Sequence, residues 1–143
     1  MLTGHLALVV AAVFLGAALY INVAEQPARL GLDDRSLLAE WKLAYKRGTV
    51  MQAPLAVVGF LLGLAAWWQT GRIGWAIGGL LMVANWPVTF FAIMPTNNRL
   101  MAIDPAVAGP ESRAMIRRWG SLHAVRTALG FAASLAFLWA SLA

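Results

Sequence analysis

Trp119, His123, Arg126 and Gly130 recur at i, i+4, i+7 and i+11, which is one face of a helix, in an otherwise apolar run. An imidazole can move a proton at ordinary pH, and a guanidinium can hold a developing anion. Two further polar sets lie far away in sequence. Tyr20, Asn22 and Glu25 close a first apolar stretch, and Thr96, Asn97, Asn98 and Arg99 follow a third. A carboxylate such as Glu25 against His123 would make the imidazole a more competent proton carrier. Asn97 and Asn98 could position a carbonyl or stabilise an oxyanion.

Each of these residues has a plainer reading beside the chemical one. Arg126 could snorkel to nearby headgroups on its long stem. His123 has no such stem, but could be a structural histidine bonded to a helix carbonyl or to Glu25. Glu25 could pair with Arg126 or His123, or mark a helix end. Asn97 and Asn98 could terminate a helix after Pro95. Asn85, two residues before Pro87, reads as structural, helping to satisfy the proline kink or bonding to a neighbouring helix. His5 reads as interfacial.

The elements that must place these residues follow from composition. Of 143 residues, 61% are hydrophobic and 12% charged, against about 25% charged in a soluble domain. Mean hydropathy is +0.71, which excludes both a disordered chain and an ordinary water-soluble globule. The absence of cysteine excludes disulfide frameworks, thiolate metal sites and cysteine nucleophiles. A membrane span needs about 20 mostly apolar residues, and four stretches qualify: residues 4–24, 50–68, 73–94 and 119–142. The apolar runs do not alternate, so helices are expected and a barrel is not. Residues 1–143 thus form one all-α integral membrane domain, a four-transmembrane-helix bundle. The first stretch lacks preceding positive charge and reads as a retained span, not a cleaved signal. Gly59 with Gly63, and Gly74 with Gly78, allow close helix approach. They leave open whether the partner helix belongs to the same chain or to a second copy in a homo-oligomer.

Lysines and arginines set the expected orientation. Arg29, Arg35, Lys42, Lys46 and Arg47 lie between spans one and two; Arg99, Arg113, Arg117 and Arg118 lie between spans three and four. Loops one and three are therefore expected in the cytoplasm and both termini outside. The same placement explains the basic charge without nucleic acid. In loop one, Leu37, Trp41 and Tyr45 at four-residue spacing predict a short amphipathic helix over Asp33–Arg47, lying at the interface or capping the bundle. Loop three, about Asn97–Arg118, is expected to be mostly irregular, with a short helix from near Glu111. Trp67, Trp68, Trp75 and Trp139 are expected in an outer aromatic belt, and Trp86 in bundle packing. Trp41 and Trp119 fall near the polar end, where they could also wall a flat ligand. Topology alone brings the three polar sets to one depth, and so predicts a cytoplasm-facing pocket.

Four segments in order carry a family resemblance: LYINVAEQPAR (residues 19–29), AEWKLAYKRG (39–48), MPTNNRL (94–100) and RRWGSLHAVRT (117–127). Together they resemble the small four-helix membrane proteins grouped with the fungal anthrone oxygenases, over nearly the whole chain. The resemblance implies cofactor-independent oxidation of an anthrone to an anthraquinone by dioxygen. It implies catalytic roles for His123, Arg126, Glu25 and Asn97, with His123 removing a ring-methylene proton while Arg126 and Asn97 hold the enolate. The other matching positions, Asn22, Trp41, Tyr45, Asn98, Arg99 and Trp119, would bind the substrate.

Two functions fit these residues. One is a membrane oxidoreductase acting on a flat phenolic, anthrone or quinone-like molecule. The other is a non-enzymatic membrane protein that binds lipid or a small molecule, or is a subunit of a larger assembly. No phosphate loop, HExxH or GxSxG is present, so no metal and no cofactor is expected. The expected partners are membrane lipid and a hydrophobic small molecule.

Overall fold

A computed structural model describes residues Met1–Ala143. It contains four long helices: α1 (Leu2–Leu30), α2 (Asp34–Thr70), α3 (Ile73–Ala102) and α4 (Pro110–Leu142), each long and apolar enough to cross a membrane. They run up-down-up-down, with α1 and α3 on one diagonal and α2 and α4 on the other. The expected all-α four-helix bundle is the fold observed. Both chain termini and the tight α2–α3 turn lie at one end, here the terminal end. There the Thr3 hydroxyl donates to Gln69 (2.8 Å) and Arg72 to the Ala140 carbonyl (3.2 Å). Gly71 makes the turn in the left-handed region, φ 69°, a conformation open to glycine without a Cβ penalty. The two longer connections lie at the opposite, charged end.

All four helices outrun their spans at the charged end. The amphipathic stretch Asp33–Arg47 is not a separate short helix but the opening turns of the continuous 37-residue α2. Asp33 starts it by accepting the Ser36 N–H (3.0 Å), which holds its carboxyl below the usual carboxylate range. Gly48 costs a helix only about 1 kcal/mol, and burial of Leu37, Leu38 and Trp41 on the same side outweighs that. Loop three is likewise far shorter than expected. α3 continues through Pro95 to Ala102, and α4 begins at Pro110, whose missing N–H is harmless at a first helical position. Only Ile103–Gly109 is irregular, with one tight turn at Pro105–Val107. Charged side chains fasten these connections. Arg113 donates to Asp34 (2.5 Å) and to the Leu30 carbonyl (2.8 Å), and Lys42 reaches the Met101 carbonyl (3.1 Å).

In the terminal half the helices touch through small residues. A Cβ on Gly78 would sit 2.4 Å from the Phe137 ring, one on Gly63 2.9 Å from it, one on Gly59 2.8 Å from Met82 and one on Gly74 2.8 Å from Ala140. Both glycine pairs therefore find their partners within this chain. Trp75 is corrected from belt to core: it is 2% exposed and packs on Phe137 at 5.8 Å. Trp67, Trp68 and Trp139 are exposed on the surface of the bundle at the terminal end.

The charged half is built differently. α1 carries a π-helical turn at Ile21–Glu25, and α3 carries a break at Ala84 followed by a π-helical turn at Thr89–Ile93. Pro87 removes one N–H from α3, so the ladder must loosen there. These irregular turns frame the site.

Candidate functional site

A cavity of about 210 Å³ lies in the charged half, lined by residues from all four helices. On its α4 wall, His123 is 3% exposed and packs against Trp119 with ring centroids 5.0 Å apart. Its Nδ1 meets Asn22 Oδ1 at 2.9 Å. The same oxygen accepts the Thr127 hydroxyl (2.7 Å), while Asn22 Nδ2 donates to the Gly120 carbonyl (2.9 Å). Since Nδ2 must donate to a carbonyl, Oδ1 can only accept, and the proton of a neutral imidazole therefore sits on Nδ1. Nε2 is left as the unprotonated nitrogen, with no protein partner and not enclosed.

One turn deeper, Arg126 does not snorkel. It donates to Thr89 Oγ1 (3.2 Å) on α3 and to Gln52 Oε1 (2.9 Å) on α2, and lies 5.6 Å over the Phe14 ring on α1. None of the ion pairs involves it. A guanidinium held by neutral partners in a mostly apolar cavity is a place where an anion is stabilised as it forms. Asn97, 2% exposed, lines the same cavity. Its Oδ1 is enclosed and unpaired, while its Nδ2 is not enclosed and has no protein partner.

The structure thus brings together His123, Arg126, Asn97, Glu25, Tyr45 and Trp119 at the cavity wall. Glu25 does not meet His123 or Arg126. It pairs with Arg29 (2.8 Å), one turn away on the same helix, and Arg29 also binds Glu40 (3.0 Å) and lies 5.6 Å over Trp119. Asn22 stands behind His123 and acts on the cavity through it. Trp41 is likewise one layer back, stacked on Tyr45 (5.1 Å) and edge-on to Trp119 (5.8 Å). Asn98 and Arg99 are exposed and lie away from the cavity; Arg99 pairs loosely with Glu111 at 3.6 Å. They stand beside Asn97 in sequence, but successive helical positions face different ways.

Gln52, Thr89, Thr127 and Phe14 went unnoticed in the sequence. Gln52 is the sole polar residue between Val50 and Leu64, and an isolated amide within a span is a usable signal. Thr89 and Thr127 carried none, because a helical threonine commonly bonds its own backbone. Asn85 donates to the Leu81 (3.4 Å) and Met82 (3.0 Å) carbonyls, the structural role expected of it, and also lines the cavity roof. Trp86, expected in packing, borders the cavity and is 40% exposed.

Fold and site together define a membrane-type four-helix bundle with a mostly apolar cavity that holds a histidine and an unpaired arginine. Residues 41–136, more than half of the chain, match the family described as anthrone oxygenase, and the chain belongs to that family. An anthrone oxygenase of Claviceps purpurea (strain 20.1) is 26% identical over 146 residues, covering 92% of this chain and 84% of the relative. No solved structure matches.

Proposed function

We propose that the protein is a membrane oxygenase that oxidises the ring methylene of a flat, apolar anthrone-like phenol to a carbonyl. One dioxygen is consumed and one water released. His123 Nε2 takes a methylene proton, and the resulting enolate rests against Arg126 and the Asn97 amide. The electron-rich carbanion gives an electron to dioxygen, and recombination forms a C–O bond to a peroxide. The proton on His123 returns to that peroxide. Loss of the second methylene proton with cleavage of the O–O bond leaves the carbonyl and water. The substrate's own carbanion supplies the electrons, so no cofactor takes part.

One observation carries this reading: the Asn22 oxygen fixes the proton on His123 Nδ1 and leaves Nε2 bare beside an unpaired guanidinium. Family membership supports it. The lysines and arginines of the connections support an orientation with the charged end in the cytoplasm and both termini outside.

The test is oxygen uptake and quinone formation with an anthrone, read above the uncatalysed rate. The wild type is expected to consume one dioxygen per quinone formed, and His123→Ala to lose about 100-fold or more in kcat. Equal rates in the two proteins would overturn the mechanism. A loss of thermal stability alone, without any activity in the wild type, would favour the binding or assembly reading instead.

A further inference from the structure

We propose that the substrate reaches the cavity sideways, from the hydrocarbon layer, through a window between α2 and α3. The ligand class this admits is uncharged, flat and lipid-dissolved. The inference rests on the reading that this cavity is the substrate site.

The window has a frame. Above the Ala84 break, α2 and α3 pack backbone to backbone: a Cβ on Gly79 would meet the Phe60 carbonyl at 3.1 Å. Below it, no Cα of the Thr89–Ile93 π turn comes within 8 Å of a Cα of α2. Two contacts between the helices bracket this gap. Trp86 Nε1 donates to the Ala53 carbonyl (3.4 Å), and the Tyr45 hydroxyl meets Met94 sulfur (3.8 Å). Tyr45 and Ala53 are eight residues apart, roughly 12 Å along the helix.

Nothing large fills the frame from the α2 side. Thr49 and Ala53 line it, while Ala44 and Gly48 line the cavity toward Ile21 of α1. On the α3 side Trp86 and Phe90 are 40% and 54% exposed while also lining the cavity. Their rings therefore have one face to the interior and one to the surroundings of the bundle. The side chains that line the opening, Thr49, Ala53, Trp86 and Phe90, carry no charge, and Lys46 and Arg47 on the same stretch of α2 are exposed and do not line the cavity. An ionised ligand crossing here would lose its hydration without compensation, whereas a neutral aromatic would slide between Trp86 and the small residues of α2.

The local sequence explains why the window lies here. Pro87 and the π turn lift α3 away from its partner, and Pro54 frees the backbone carbonyl of Val50 in α2. The Trp86–Ala53 hydrogen bond then closes one edge without closing the opening.

The chain has no cysteine, so one introduced thiol reports access. Ala56→Cys places it on the cavity wall; Gly48→Cys serves if that variant fails to fold. In lipid vesicles a neutral pyrenyl maleimide and a charged sulfonated maleimide are compared. Each rate is normalised to the same reagent on Leu61→Cys, facing lipid, or Arg35→Cys, facing water. The neutral reagent is expected to label about 100-fold faster than the charged one, reflecting the exclusion of charge from the hydrocarbon layer. Adding Ala53→Leu to Ala56→Cys, which fills the window, should slow neutral labelling about tenfold. Comparable or faster labelling by the charged reagent, no labelling by either, or no effect of Ala53→Leu would each overturn the proposal. Labelling needs no turnover, so it can fail while the oxygenase reading stands, and the reverse.

Discussion

The two halves of this bundle use the same four helices to opposite ends. In the terminal half, Gly59, Gly63, Gly74 and Gly78 remove side chains where Met82, Phe137 and Ala140 must fit. Lipid gives helices no hydrophobic reason to associate, so close packing of this kind has to hold them. In the charged half the glycines give way to Pro54, Pro87, two π turns and a set of amides. There α1 and α4 still meet closely at Gly120 and Gln26, but α2 stands off from both π turns, and polar side chains span the space. Asn22 ties α1 to α4, and Arg126 ties α4 to α2 and α3. The closed half supplies rigidity, and the open half supplies a cavity whose polar groups face one another at fixed distances. Both π turns fall in the open half, where such turns recur in functional sites.

Substitutions can break this division in graded steps. The largest effect is expected in the closed half: Phe137→Ala should lower unfolding free energy by about 3 kcal/mol. Reversible unfolding in mixed micelles measures this, and activity per folded molecule should be unchanged. Next, Asn22→Leu should lower kcat about 100-fold, because the histidine loses the partner that fixes its tautomer. Its effect on KM should be small, which separates a positioning role from a general loss of the site. Thr127→Val removes one of the two donors to the Asn22 oxygen and should cost about 1 kcal/mol, read as a modest fall in both stability and kcat. Smallest is Arg99→Ala: its exposed pair with Glu111 should contribute less than about 0.5 kcal/mol, and oxygen uptake should not change.

The halves also differ in how far they could be read from sequence. Four spans, their order and the shared depth of Asn22, Asn97 and His123 followed from hydropathy and helical spacing alone. What spacing could not supply was pairing. Glu25 has a basic partner one turn away at Arg29, and that local pair takes precedence over the distant His123. Arg126 finds Gln52 and Thr89, two uncharged residues that hydropathy passes over. Trp75 lies at the end of a span, as a belt tryptophan does, and turns inward because Gly4 on α1, diagonally across the bundle, leaves room for its ring, 2.5 Å from where a Cβ would stand. The helix ends were misplaced for a related reason. Pro95 and Gly48 look like breakers locally, but burial of Leu100 and Trp41 on either side carries the helices through them.

The central claim is that Asn22 holds the proton on His123 Nδ1 and leaves Nε2 free to act as a base. Nitrogen NMR of isotope-labelled histidine in lipid nanodiscs tests it directly. The chain has only two histidines, so a His5→Gln background isolates the signal of His123. A protonated Nδ1 with a bare Nε2 is the expected result, lost in Asn22→Leu. A proton on Nε2 in the wild type, or a spectrum indifferent to Asn22→Leu, would contradict it.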